Sequence, residues 1–240
     1  MNILVIAGEV SGDSYAAQLV SILKTQQKDL TIYAIGGQKL STVADHFLFQ
    51  SAYSHGVGLS AKIMKRRFKK KLLTTVEQTL QQVSIDKAII IDFQHVNQAI
   101  ARLIKQFSIP IYTFITPNFW MWQSHKPANA ICHYSTKIFT IFKPEYEFYK
   151  SKFVQTYYFG HPLTETTPSP ASESITFSKD AVITLLPGSR PQEFKLYLPA
   201  MLKTCEKLKE SHPTLSINLV LSATHFESTV KNYCNQFPNL

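Results

Sequence analysis

Cysteine is scarce. The chain has three in 240 residues, Cys132, Cys205 and Cys234, widely spaced and without a Cys-x-x-Cys pair. An odd, scattered set argues against a disulfide framework and against a zinc site, and ordinary reduced thiols are expected. Glycine and proline are sparse too, 8 and 12 residues, which excludes collagen-like and linker-like chains. Charged residues are 17% against 45% apolar, whereas a disordered chain would be richer in charge and poorer in apolar residues. No run approaches the roughly 20 apolar residues of a spanning helix. The start Met1-Asn2-Ile3-Leu4-Val5 lacks the basic segment and cleavage site of a secretory leader. A soluble cytoplasmic protein is expected, free to touch a membrane from that side. Acidic residues are also few, 16 against 25 Lys and Arg, for a net charge of +9. That balance favours an anionic partner: nucleic acid, acidic lipid or a phosphorylated substrate. Nucleic-acid motifs are lacking, so nucleic acid is not the expected partner.

What is present is an alternation of short apolar runs and helical patterns. Residues 2–7 form a continuous apolar run of the kind found in strands buried on both faces. A Gly-containing turn and a helical pattern through Ala17, Val20 and Leu23 follow. Further strands are predicted over 31–35, 87–91, 109–115, 138–142 and 157–159, with a helix over 96–107. This is the signature of a doubly wound parallel sheet. Residues 164–174 lack apolar periodicity and read as a linker or exposed loop. A second unit then begins: strand 181–186, helix 196–209, strand 216–221, helix 226–233. The predicted architecture is a Rossmann-like domain over 1–165 and the start of a second, incomplete one over 175–240.

Five segments carry candidate chemistry. Gly8-Glu9-Val10-Ser11-Gly12-Asp13 leaves the first strand and opens a helix. The glycines permit close approach, and the helix start offers unpaired N–H groups to a ligand; capping by Ser11 or Asp13 is the alternative. Asp92 ends the 87–91 strand, with His95 three residues on. Either could serve as a base, or as a turn cap and a surface imidazole. Thr116-Pro117-Asn118-Phe119-Trp120-Met121-Trp122 follows another strand, and its Trp120 and Trp122 could line a sugar or apolar pocket or pack beneath a loop. Gly160-His161-Pro162-Leu163 closes the last strand of the first domain; His161 could bind a phosphate or hydroxyl, or pack in a tight turn. Leu185-Leu186-Pro187-Gly188-Ser189-Arg190 with Glu193 places Gly188, Ser189 and Arg190 between a strand and a helix. A diphosphate there would meet backbone amides and a guanidinium; an exposed loop arginine is the alternative.

The longest helical pattern covers 59–83. Leu59, Ile63, Met64, Phe68, Leu72, Val76, Leu80 and Val83 recur every three or four residues. Lys62, Lys65, Arg66, Arg67, Lys69, Lys70 and Lys71 crowd the other faces. A basic amphipathic helix of this kind can lie on anionic lipid or be a solvated face over a buried stripe.

As a set, and in order, these motifs resemble the lipid-A-disaccharide synthase family of GT-B glycosyltransferases. The matching residues are Gly8, Glu9, Ser11, Gly12 and Asp13; Ala34-Ile35-Gly36-Gly37; Thr116-Pro117 with Trp120 and Trp122; Gly160-His161-Pro162-Leu163; and Leu185 to Arg190 with Glu193. The resemblance implies a GT-B-like α/β fold and transfer of 2,3-diacylglucosamine from its UDP conjugate to 2,3-diacylglucosamine 1-phosphate. Configuration would invert and a β-1,6 linkage form, with no metal or other cofactor. It implies Asp92 or His95 near the acceptor hydroxyl, with Glu9, Ser11 and Asp13 at the cleft. It places the UDP diphosphate on Gly188, Ser189 and Arg190. The enzyme would sit on the cytoplasmic face of the inner membrane through the 59–83 helix, and an oligomer is compatible with it. Three positions depart from the family pattern: His95 stands where it has a second aspartate, Ala61 where it has a glutamate, and Gln123 where it has an arginine. A non-catalytic lipid- or sugar-phosphate-binding relative is the competing expectation.

Overall fold

The computed structural model describes residues 1–51, 59–92, 97–152, 154–166, 182–188, 191–221 and 226–237. The chain divides into two compact units, Met1–Pro168 and Ser169–Leu240.

The first unit is a seven-stranded sheet with strands β1 (Asn2–Ala7), β2 (Thr31–Gly36), β3 (His46–Gln50), β4 (Lys87–Ile91), β5 (Ile111–Phe114), β6 (Lys137–Thr140) and β7 (Gln155–Tyr158). The spatial order is β3-β2-β1-β4-β5-β6-β7, and every adjacent pair is parallel. The connections carry α1 (Val10–Gln26), α2 (Gln38–Val43), α3 (Leu59–Gln82), α4 (Asn97–Gln106), α5 (His125–Tyr134) and α6 (Lys143–Lys150), and the short α7 (Leu163–Thr166) follows β7. Parallel neighbours require crossovers of this kind.

After their first residues, Asn2 and Lys87, the central strands β1 and β4 are apolar throughout because both faces are covered. Leu4, Ile6 and Ile90 pack under Leu72, Val76 and Leu80 of α3 and Ile100 and Ile104 of α4. Ile3, Val5, Ile32 and Ala34 face the other way, against Ala16 and Val20 of α1. Fully burying one such side chain contributes about 1.5–3 kcal/mol. Beyond β5 the pattern thins, and a smaller cluster forms from Ala128 and Ile131 of α5, Ile138 of β6, and Phe148 and Tyr149 of α6.

The second unit holds β8 (Val182–Leu185) and β9 (Ser216–Leu219), paired in parallel, with α8 (Pro191–Ser211) and α9 (Glu227–Cys234). Phe194, Leu198, Leu202, Phe226 and Val230 form its core.

Several expectations are revised. The helix expected over 196–209 begins at Pro191, where the fixed φ of proline and its missing N–H suit a first helical position. The apolar stripe of α3 is not available to lipid over its described length. Leu72, Val76 and Leu80 are buried in the sheet core, with Phe68, Leu73 and Val83 packed beside them. Arg66, Arg67, Lys69, Lys70 and Lys71 are exposed, so the basic face alone points outward there. No helix among the described residues is long and apolar enough to cross a membrane.

Candidate functional site

From β1 the chain winds outward through β2 to β3, then returns to the other side of β1 as β4 and proceeds to β7. In an open parallel sheet, the crevice outside the carboxyl ends of the strands at such a reversal is where ligands bind. Two of the motifs are there, since Gly8 follows β1 and Asp92 follows β4.

They are in contact. A Cβ added to Gly12 would lie 3.5 Å from the Ile91 carbonyl oxygen and 3.7 Å from Cβ of Asp92, so the first turn of α1 packs directly on the exit of β4. Gly8 is buried, Glu9 is half-buried and Ser11 is exposed. Glu9 takes the N-cap position of α1 in extended conformation, and its side chain makes no cap bond.

Asp13 does something else. It is 4% exposed, and its Oδ1 accepts hydrogen bonds from the amides of Gly37 (2.6 Å) and Leu40 (3.1 Å), its Oδ2 from that of Lys39 (2.9 Å). It therefore caps α2 rather than its own helix, and binds the exit of β2 to the first turn of α1. Gly36 makes the approach feasible: a Cβ there would sit 3.1 Å from Asp13 Oδ1 and 2.7 Å from Leu40 Cδ2.

Asp92 has a left-handed backbone, φ 32°, and its N–H donates to the carbonyls of Phe114 (3.4 Å) and Ile115 (3.2 Å). Ile115 is left-handed too, φ 59°. A β-branched residue in that region is strained, and such strain gathers where a backbone is held for function. Tyr15 lies close by. Burial, and then the negative charge of Asp92, raises its phenol above the ordinary tyrosine value.

From Tyr15 an aromatic chain crosses the carboxyl ends of the strands. Its ring meets His161 edge-on at 6.0 Å, His161 meets Phe142 at 5.4 Å, and Phe142 meets Trp120 at 5.7 Å. His161 is half-buried and its Nδ1 faces the Leu163 N–H at 3.2 Å. The motifs containing Trp120 and His161 are thus brought together with Tyr15 through a phenylalanine that no motif contains. Trp122 does not join them; it is 75% exposed.

Glu145 on α6 holds this rim. It is 1% exposed. Its Oε1 accepts from the N–H (2.9 Å) and hydroxyl (2.6 Å) of Thr116, and its Oε2 from the amides of Ile141 (3.0 Å) and Phe142 (3.3 Å). One carboxylate ties the exit of β5 to the exit of β6. Sequence reasoning missed Tyr15, Phe142 and Glu145. Tyr15 lies four residues after Ser11, on the same helix face; Glu145 lies in the first turn of a helix, where a carboxylate is favoured.

In the second unit, Gly188 has φ 115°, and a Cβ there would collide with the Glu193 carboxylate. The Glu193 side chain therefore packs against Gly188. His95, Ser189 and Arg190 lie outside the described residues, so the base and diphosphate roles expected of them have no geometry to report; Ala61 falls within α3.

Residues 3–238 match the sequence model of the lipid-A-disaccharide synthetase family. The chain belongs to that family. Among curated lipid-A-disaccharide synthases, that of Myxococcus xanthus is 30% identical over 93% of this chain and 60% of its own length. That of Acidobacterium capsulatum is 29% identical over 88% of this chain and 54% of its own length. The chain thus spans just over half to about six tenths of these relatives. Among solved structures, a UDP complex of MnaA from S. aureus superposes with a TM-score of 0.66 at 15% identity, over 99% of this chain and 66% of that one. A UDP-GlcNAc 2-epimerase from Neisseria meningitidis bound to UDP-GlcNAc gives 0.55 at 12% identity, over 100% and 70%. The chain therefore has a GT-B-like α/β fold, as the resemblance of its motifs implies.

Proposed function

We propose that the chain is a lipid-A-disaccharide synthase-like hexosyltransferase whose first unit binds the acceptor and whose second unit supplies part of the donor site. The observation that carries this reading is the meeting of the Gly8–Asp13 turn and Asp92 at the carboxyl ends of β1 and β4, where the strand order reverses. The donor would be UDP-2,3-diacylglucosamine and the acceptor 2,3-diacylglucosamine 1-phosphate. Asp92, or His95 three residues on, takes the proton from the acceptor 6-hydroxyl as that oxygen attacks the anomeric carbon from the face opposite the diphosphate. The carbon–oxygen bond to the diphosphate breaks, configuration inverts and UDP departs. Gly188, Ser189 and Arg190 meet the charge that develops on the leaving group, with Glu193 keeping the turn in shape. Glu9 and Ser11 border the crevice, Trp120 and His161 line its far rim, and Trp122 is free to meet a lipid chain.

Incubating the chain with both lipids and measuring UDP release tests the reading. Release that falls about 10²–10⁴-fold in Asp92→Asn supports it, that being the usual contribution of a positioned base. Release unaltered by Asp92→Asn and by Arg190→Ala overturns it. A second reading, binding of the glycolipid phosphate without transfer, is favoured by His95 in place of the family's second aspartate. Retained binding with no UDP release selects it.

In either case the basic face of α3 is proposed to hold the protein at the cytoplasmic leaflet, each Lys or Arg near acidic lipid contributing about 1 kcal/mol. Co-sedimentation with anionic vesicles, lost in a variant with Arg67 and Lys70 changed to Glu and weakened by salt, is the expected result.

A further inference from the structure

Between α1 and the end of β7 lies a cavity of about 210 Å³. Leu19 and Ile22 of α1 form one wall, Phe114 and Phe159 the other; Tyr15 and His161 stand among them, and the exposed Gln18 and Glu165 also line it. Phe159 continues a stacked row that runs through Tyr157 to Phe139, with ring centroids 5.7 to 6.4 Å apart. The lining is mostly apolar, yet the cavity is no sealed part of the core: Phe159 is 72% exposed and Ile22 55%.

Three observations identify the occupant. The volume is below the roughly 300 Å³ at which pockets for whole small molecules begin, so the groove takes a narrow part of a ligand. Its walls along Leu19, Ile22, Phe114 and Phe159 offer sugar hydroxyls or phosphate oxygens no partners, Glu165 repels a phosphate, and burying such groups unpaired is costly. It also lies beside the candidate site: Tyr15 in its lining stands three residues after Gly12 on α1, and Gly12 packs on the exit of β4 at Asp92. A ligand reaching both places has a polar head at the carboxyl ends of β1 and β4 and a hydrocarbon tail along α1. We infer that this groove seats one acyl chain of the glycolipid whose sugar lies at Asp92. The inference rests on the function proposed above and deepens it, since it assigns chain-length preference to Leu19, Ile22 and Phe159.

The test compares the octanoyl and acetyl forms of 2,3-diacylglucosamine 1-phosphate by calorimetric titration against the wild-type chain and Ile22→Trp, which fills the groove from its open side. Ile22 faces solvent, so the variant is expected to fold, as circular dichroism would verify. Ile22→Ser supplies a second variant that lowers the apolar character without filling the space. Wild type is expected to prefer the octanoyl form. Ile22→Trp should weaken that form at least about tenfold, the equivalent of two buried methylenes, and leave the acetyl form unchanged. Equal losses for both forms, or none for either, would overturn the groove assignment while leaving the function standing. If wild type binds neither form, the functional reading fails and the groove assignment with it. Should sedimentation show a wild-type dimer that Ile22→Trp dissociates, the groove is a contact between copies and the assignment is overturned.

Discussion

Asp13 illustrates how far a residue's task can lie from its motif. In the sequence it belongs to a turn that looks made for a ligand. In the fold it is spent on three amides 24 to 27 positions away. Nothing local announces those partners, because they come into range only when β2 pairs with β1. Replacing Asp13 by Ala leaves the amides of Gly37 and Leu40 buried without acceptors, at about 1–3 kcal/mol each. Urea denaturation is expected to show a loss of about 3–5 kcal/mol, and sugar-phosphate binding should weaken only as the fold does. Asp92 is different, because its position was legible: a carboxylate directly after a continuous apolar strand lies at the carboxyl edge of a parallel sheet. Its backbone strain and its pairing with Tyr15 were not legible, since both depend on β5 and α1. In Asp92→Asn the phenol of Tyr15 loses a nearby negative charge and should ionise at a lower pH than in wild type. Burial, the larger cause, remains, so the value stays above that of free tyrosine. NMR titration of labelled tyrosine reads both effects, and an unmoved Tyr15 would contradict the pairing.

Elements differed in legibility for reasons of burial. β1 and β4 were plain because both their faces are covered, and β8 and β9 were found to within two residues at either end. β3 was not singled out: it is an edge strand, and His46 and Gln50 give it no continuous apolar run. α2 is only six residues long, too short for a periodicity to register. α5 and α6 each contain a proline near the start, Pro127 and Pro144, a residue that reads as a break unless the first turn is recognised. These two helices nevertheless shape the rim of the site. Glu145 joins α6 to the exits of two strands, so Glu145→Ala should loosen Thr116 and Phe142 together. A loss of about 2–4 kcal/mol is expected from the unpaired amides and hydroxyl, with the aromatic chain from Tyr15 to Trp120 broken at its middle. Tryptophan fluorescence would register that change as a red shift, which a purely global loss of stability would not produce under native conditions.

At the scale of the whole molecule, the two units are unequal. The first buries a sheet on both faces. Among its described residues the second has a two-stranded sheet, an arrangement that is marginal by itself, and its core gathers around Phe194, Leu198, Leu202 and Phe226. Hydrogen exchange is expected to be faster in β8 and β9 than in β1 and β4. Phe194→Ala, costing about 3–5 kcal/mol, should abolish protection in the second unit and spare β1 and β4; loss of protection in both would show that the units open as one. Strand order has a further consequence, and it concerns synthesis. β1 is made before both of its neighbours, and one of them, β4, lies some 80 residues later. At ordinary translation speeds of 5–20 residues per second, roughly 4–16 s pass before that neighbour exists. Through that interval the most apolar strand of the protein waits with one bare edge, so the nascent chain should lean on a ribosome-bound chaperone more heavily than the stability of the finished fold would suggest.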